Sequence, residues 1–253
     1  MIQTENKKSH NAAIVLAAGQ GKRMGTKVQK QFLEIEGRPV LYYSLEAFET
    51  SSVIDEVVLV VGEGLVEYCQ NEIVDKYHFQ KVKKIVIGGR ERYDSVYLGL
   101  KALMESSPDY VFIHDGARPF IDDDMLKRAY HEVVKTDACV VGMPSKDTIK
   151  VVNENGIVVE TPERKYLWQV QTPQVFSYEL IREAYFELIR YEAINVTDDA
   201  MVLETVKGLP VKLVEGSYEN IKITTPEDLF VAEAFLKKRK IAKKEVDKSD
   251  IEC

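Results

Sequence analysis

The sequence predicts an α/β fold: a Rossmann-like, mostly parallel sheet with helices on both faces and a β-hairpin arm protruding from it. Three observations carry this. Short apolar, β-branched runs alternate with amphipathic stretches over most of the 253 residues, the pattern of parallel strands joined by crossover helices. The first run, Ala12-Ala13-Ile14-Val15-Leu16, opens directly into a glycine-rich, basic turn. The alternation then breaks between 145 and 166, where two extended runs flank the turn-forming cluster Asn153-Glu154-Asn155-Gly156 and suit a hairpin.

Taken in order, strands are expected at 13–16, 56–61, 84–87, 110–114 and 138–142, with helices near 39–49, 65–77, 92–105 and 123–135 between them. After the arm the pattern resumes with helices at 178–191 and 198–206 and a strand at 211–214. A last helix opens at Thr225-Pro226-Glu227-Asp228, where Thr225 can cap, proline suits the first turn and two carboxylates favour the positive end of the dipole. The expected organisation is a disordered polar tail over 1–11, one domain over 12–236, and a charged tail over 237–253 that frays into solvent.

Composition narrows the function classes. With 34 basic and 41 acidic residues the net charge is -7, which argues against general binding of nucleic acid or an anionic membrane. An anionic ligand must therefore be held by local charge. No apolar run approaches the roughly 20 residues of a membrane span, and residues 1–10 carry no hydrophobic signal segment, so a cytoplasmic location is expected. Cys69, Cys139 and Cys253 are too far apart for a zinc site, and their odd number suits no disulfide framework.

The turn after the first strand is the most informative stretch. From Ala12 to Leu33 it carries Lys22, Arg23, Lys27 and Lys30 with no acidic residue. Glycines let backbone N–H groups approach an anion, and fixed cations neutralise a polyphosphate. The spacing fits neither common glycine loop. A dinucleotide turn needs a third glycine where Met24 stands, and a P-loop needs Gly-Lys-Ser/Thr where Gly25 is followed by Thr26 and Lys27. What remains is the opening of a nucleotidyltransferase that grips a nucleoside triphosphate.

Two further clusters fall at expected strand ends, where open α/β sheets bind ligands. Gly88-Gly89-Arg90-Glu91-Arg92-Tyr93-Asp94-Ser95 can read a base or ribose through backbone groups and the Ser95 hydroxyl. In His114-Asp115-Gly116-Ala117-Arg118-Pro119, Asp115 is placed to hold Mg²⁺ or a substrate hydroxyl, or else to form a structural ion pair with Arg118. No His or Cys cluster with metal-ligand spacing exists.

Together these segments resemble the 2-C-methyl-D-erythritol 4-phosphate cytidylyltransferase family of the non-mevalonate isoprenoid pathway. The matching stretches, in family order over about 12–236, run from Leu16-Ala17-Ala18-Gly19-Gln20-Gly21-Lys22-Arg23-Met24-Gly25 through Lys30-Gln31-Phe32-Leu33, the Gly88-Gly89 and His114 clusters and Asp147-Thr148-Ile149-Lys150. They continue with Leu167-Trp168-Gln169-Val170-Gln171-Thr172-Pro173-Gln174, Thr197-Asp198-Asp199-Ala200 and Asn220-Ile221-Lys222-Ile223-Thr224. Gln29 stands where the family usually has proline.

The resemblance implies transfer of a cytidylyl group from CTP to 2-C-methyl-D-erythritol 4-phosphate, with release of pyrophosphate and with Mg²⁺. A phosphate monoester with a second pKa of about 6 is largely dianionic at neutral pH and needs no general base. The difficulty is repulsion, which cations must relieve. By resemblance, Arg23 and Lys30 stabilise the transition state, and Arg164 and Lys222 position the incoming phosphate. Ala17, Ala18, Gly19, Gly21, Gly89, Ser95 and Gly116 contact the nucleotide. Asp115, Arg118, Thr148 and Thr172 complete the substrate region, with Asp115 also the metal candidate. The arm interlocks with a second subunit in the family, so a homodimer is expected, with Thr148 and Arg164 serving the neighbour's site. A ribitol 5-phosphate cytidylyltransferase and a non-catalytic nucleotide-binding module remain the alternatives.

Overall fold

The computed structural model describes residues 9–19, 28–190 and 196–249, with side chains through 241. Its centre is a seven-stranded sheet built from β1 (Asn11–Ala17), β4 (Glu56–Val61), β5 (Val82–Ile87), β6 (Tyr110–Asp115), β7 (Ala138–Pro144), β10 (Trp168–Ser177) and β11 (Lys212–Glu215), in the order β11-β7-β10-β6-β1-β4-β5. All neighbours are parallel except β10, which runs antiparallel to both β6 and β7. The expected strands are all present, and β4 has the expected limits. β10 is the addition to the expected set.

The chain passes from β1 outward to β4 and β5, then returns to place β6 on the other side of β1. This reversal leaves a crevice between the carboxyl ends of β1 and β6, where ligands of open α/β sheets bind.

The strands are apolar on both sides because helices cover both faces. On one face α1 (Val40–Thr50) and α4 (Asp123–Thr136) bury Leu41, Leu45, Phe48, Leu126 and Val133 against Val15, Leu59 and Phe112. On the other, α3 (Arg92–Ala102), α5 (Tyr178–Arg190) and α6 (Asp199–Lys207) bury Val96, Leu100, Ile181, Tyr185 and Leu203 against Ile14, Val60 and Ile113. The helix expected over 65–77 is a short α2 (Val66–Cys69) that widens into a π-type turn over Gln70–Asp75. Cys69 and Cys139 are buried, and burial pushes both thiols up to about 12, so at neutral pH they act as small apolar side chains.

Both expected tails need correction. Order begins before residue 12: the His10 N–H donates to Asp109 Oδ2 at 2.7 Å, and Asn11 is already the first residue of β1. The disorder expected over 1–8 falls outside the described residues. At the other end, α7 (Glu227–Ser249) continues through the charged stretch expected to fray. Its far half is tied down as far as Lys240, which reaches Glu36 at 2.7 Å, while Lys238 and Arg239 both reach Glu219. Its entry is held from Asp228, whose carboxylate accepts from the N–H groups of Thr224 and Thr225 at 2.7 and 2.8 Å, the returning half of a capping box with Thr225 at its head.

The arm is present. β8 (Val151–Val152) pairs antiparallel with β9 (Val158–Glu160), and the Asn153 Oδ1 accepts from the N–H groups of Asn155 and Ile157 to hold the turn. Gly156 takes φ +77° there, a conformation open to glycine at no steric cost. A smaller hairpin of β2 (Glu34–Ile35) and β3 (Arg38–Pro39) leads into α1.

Candidate active site

A cleft of about 590 Å³ lies at the β1/β6 crevice, with Gly19, Lys30, Gly89, Ser95, Asp115 and Lys222 among its lining residues. One wall is the chain leaving β1. Its carbonyls are held by Gln31, a 2 % exposed side chain whose Nε2 lies 2.6 Å from the Ala17 oxygen and 3.1 Å from that of Gly19. Gln29, where the family usually has proline, lies with its Oε1 2.6 Å from the same Nε2. Lys30 opens the short 3-10 turn Lys30–Phe32 between them and so reaches the cleft from a braced segment. Arg23 and Gly21 lie outside the described residues.

The opposite wall is the turn between β5 and α3. A Cβ on Gly88 would sit 2.6 Å from Ala18 Cβ, and one on Gly89 would sit 2.2 Å from Asp94 Cβ, so only glycine lets this turn close on β1. Ser95 shapes it: its hydroxyl accepts from the Gly89 N–H at 3.1 Å and donates to the Glu91 carbonyl at 3.2 Å.

The floor is Asp115, at the end of β6. Its Oδ2 lies 2.8 Å from Lys222 Nζ and 3.7 Å from Arg118 Nε, and its Oδ1 lies 3.4 Å from Arg92 Nε. Burial alone would raise its pKa, but Arg92, Lys222 and Arg118 together hold the carboxyl far below the usual carboxylate range. Asp115 is therefore an anion at neutral pH. The alternative of a simple Asp115–Arg118 pair gives way to a cluster of three cations around one carboxylate.

Lys222 is delivered by a pinned loop. The Ile223 N–H donates to the Ala117 carbonyl at 2.8 Å, and the fully buried Asn220 donates to the carbonyl of Thr172 at 2.9 Å while its own carbonyl accepts from Arg118 at 2.8 Å. Arg118 thus works behind the cleft, anchoring the loop that carries Lys222. Thr172 also stands one layer back. Its hydroxyl accepts from the Asp115 N–H at 3.1 Å and lies 2.9 Å from His114 Nδ1. His114 Nε2 meets the Arg118 carbonyl at 3.1 Å, and burial pushes the imidazole down to about 4, so it is neutral. Gly116 is a packing glycine: a Cβ there would lie 2.9 Å from Leu41 Cδ1 and 3.0 Å from the Leu16 oxygen. Ala17 is buried within β1, whereas Ala18 and Gly19 line the cleft.

Thr148 and Arg164 are not brought to this cleft. Both are exposed on the arm, where Arg164 donates to the Lys146 carbonyl at 3.1 Å. Four apolar side chains of the arm, Val152, Ile157, Val158 and Val159, are more than half exposed, and Tyr166 is 74 % exposed.

Sequence reasoning gave Arg92 and Gln31 no individual role. Arg92 lies within the Gly88 to Ser95 cluster, and nothing in its spacing reveals a partner 107 residues away: Asp199, which accepts two hydrogen bonds of 2.8 Å from its guanidinium.

A doubly wound sheet whose switch-point cleft gathers lysine and arginine, with no histidine or cysteine among its described lining residues, defines a nucleotidyltransferase-type site rather than one built around a nucleophile and a base. The comparisons with known proteins agree. The family model of 2-C-methyl-D-erythritol 4-phosphate cytidylyltransferase (IspD) matches residues 11–238, and the chain belongs to that family. A curated relative of that name from Lachnospira eligens is 50% identical over 228 residues, covering 90% of this chain and 99% of the relative. One from Alkaliphilus oremlandii is 48% identical over 232 residues, covering 92% and 97%. The crystal structure of a 4-diphosphocytidyl-2C-methyl-D-erythritol synthase from Anaerococcus prevotii superposes with a TM-score of 0.79 at 35% identity, covering 91% of this chain and all of that one.

Proposed function

We propose that the protein transfers a cytidylyl group from CTP to 2-C-methyl-D-erythritol 4-phosphate, forming 4-diphosphocytidyl-2-C-methyl-D-erythritol and pyrophosphate. The observation that carries this is the cation cluster at the switch-point cleft, in a chain whose family match spans the whole sheet. The triphosphate lies along the glycine wall after β1, with the base against the Gly88 to Ser95 turn. The phosphate of the second substrate arrives already dianionic, since its second pKa is about 6, and attacks the α-phosphorus. Its oxygen forms the new P–O bond as the bond to the departing pyrophosphate breaks, and no proton has to move. Lys30 and Lys222 offset the charge that accumulates on the phosphates. Arg23 belongs to the same set by family resemblance.

Mg²⁺ would be held mainly by phosphate oxygens of the nucleotide. Among the described residues no group of three metal-ligating side chains exists, and Mg²⁺ in triphosphate sites is held by one or two carboxylates together with phosphate oxygens. Asp115 would be its carboxylate, giving up part of its pairing with Lys222 and Arg92. Bound there, the ion would neutralise part of the triphosphate charge.

The exposed apolar arm, which carries Thr148 and Arg164, supports a homodimer in which each arm completes the partner's cleft. Among the described residues no helix is long and apolar enough to cross a membrane, which suits the expected cytoplasmic location. The direct test is pyrophosphate release from CTP in the presence of either 2-C-methyl-D-erythritol 4-phosphate or ribitol 5-phosphate. A kcat/KM favouring the methylerythritol compound is expected. Preference for ribitol 5-phosphate, or release with neither, overturns the proposal.

A further inference from the structure

The Asp198-Asp199 pair of the sequence divides into two different tasks. Asp198 caps α6, accepting from the Met201 N–H at 2.9 Å. Asp199 turns inward and is fully buried. One of its oxygens takes Nη1 of Arg92 and the Tyr185 hydroxyl, and the other takes Nη2 of Arg92. Its own N–H and that of Ala200 are fixed by Gln174 Oε1, both at 2.9 Å, and Gln174 Nε2 donates back to Asp198 at 3.0 Å. Groups from α3, α5 and β10 thus converge on Asp199 at the start of α6.

The Arg92 guanidinium is the remaining link to the cleft. With Nη1 and Nη2 engaged by Asp199, Nε is left on Asp115 Oδ1, and 30 % of the Arg92 side chain stays exposed at the cleft wall. A buried arginine–carboxylate pair is weak evidence for stability, since apolar residues of similar volume often do as well. Orientation is what the pair does supply. An unclamped guanidinium beside a polyphosphate would turn to the phosphate oxygens, which it binds bidentately, and would abandon Asp115.

We infer that Asp199 is a positioning residue for the reaction: its two-bond grip on Arg92 fixes the guanidinium that holds Asp115, and so sets the aim of the cleft's carboxylate. This rests on the proposed transfer reaction. Tyr185 and Gln174 serve the same end by fixing Asp199.

The test is a double-mutant cycle in steady-state kinetics of the full-length protein, comparing wild type, Arg92→Ala, Asp199→Asn and the double variant. By analogy with outer-shell partners of other sites, Asp199→Asn should lower kcat by about 10- to 100-fold while KM for the polyol phosphate stays within about threefold. Because Asp199 acts through Arg92, the double variant should be no slower than Arg92→Ala alone. Losses that multiply in the double variant, or a kcat for Asp199→Asn within about threefold of wild type, would overturn the inference. If Asp199→Asn does not fold, Tyr185→Phe keeps the ring and removes one bond. Its loss of kcat, about three- to tenfold on the scale of one hydrogen bond, should vanish in the Arg92→Ala background, and an equal loss in both backgrounds refutes the inference. Wild-type turnover is the separate control. If the wild type used ribitol 5-phosphate instead, the substrate assignment would fall and the cycle would be read on that compound.

Discussion

Removing the Lys222 ammonium isolates one cation's share of the work. Its Nζ is 2.8 Å from Asp115 Oδ2 and its side chain is 37 % exposed at the cleft wall, so Lys222→Ala deletes a charge without opening a core cavity. Two consequences can be separated. Asp115 keeps Arg92 and Arg118, at 3.4 and 3.7 Å, and so stays ionised and in place. The incoming phosphate loses one charge-assisted hydrogen bond, of about 1.5–3 kcal/mol, which is about 10- to 150-fold in kcat/KM for the polyol phosphate. The KM for CTP should move by no more than about threefold, the change left by about 0.7 kcal/mol. Pyrophosphate release at saturating CTP, with the polyol phosphate varied, reads the first quantity, and the reverse titration reads the second. Thermal unfolding should confirm a folded variant. A kcat/KM for the polyol phosphate within threefold of wild type would refute the assignment of Lys222. A loss confined to CTP would move it to the triphosphate.

CTP should be preferred over UTP by at least about 10²-fold in kcat/KM if the Gly88 to Ser95 turn reads the pyrimidine 4-position, where the two bases exchange donor for acceptor; equal values would place the base elsewhere. Mixing Arg164→Ala with Lys30→Ala under subunit exchange should restore activity towards about one quarter of wild type, because a symmetric mixed dimer has one site free of both lesions; no recovery despite proven exchange would show that Arg164 acts within its own chain. Acid should destabilise the fold through His114. Its folded pKa is depressed from 6.5 to about 4, so the unfolded state takes up the proton first, and the stability present above 6.5 is lost as pH falls towards 4. Between pH 7 and 4.5 this amounts to roughly 2 kcal/mol, read as the difference between wild type and His114→Gln in urea unfolding at the two pH values; equal losses in both proteins would contradict it.

The fold was legible where local pattern and tertiary outcome coincide. After Glu56, β4 is a continuous apolar run buried on both faces, and that run marks the strand in the sequence. The Asn153 to Gly156 turn announced the arm by its own chemistry. β10 was not legible as a strand because Gln171, Thr172 and Gln174 interrupt it. Each is buried and satisfied by a partner far away in sequence, and the pairing with β7 shifts register between Val170 and Gln174. The C-terminal helix is hidden for a related reason, since charge alone does not show that Glu36 and Glu219 hold it. At the site, glycines and cations marked the correct loops, but not which side chains face the cleft. Arg118 and Thr172 carry the right chemistry and stand one layer back. Arg92, lying within a loop singled out on other grounds, enters through Asp199, and a bond between residues 107 apart leaves no local trace.

Direct attack of the phosphate of 2-C-methyl-D-erythritol 4-phosphate on the α-phosphorus of CTP leaves an isotopic signature. ³¹P NMR of the reaction mixture tests it most directly, using a polyol phosphate whose phosphate carries ¹⁸O in its non-bridging positions. A diphosphate diester signal should grow together with free pyrophosphate, with one ¹⁸O retained in the new P–O–P bridge and none entering the pyrophosphate. Label in the pyrophosphate, or consumption of CTP without a diester signal, would contradict direct attack.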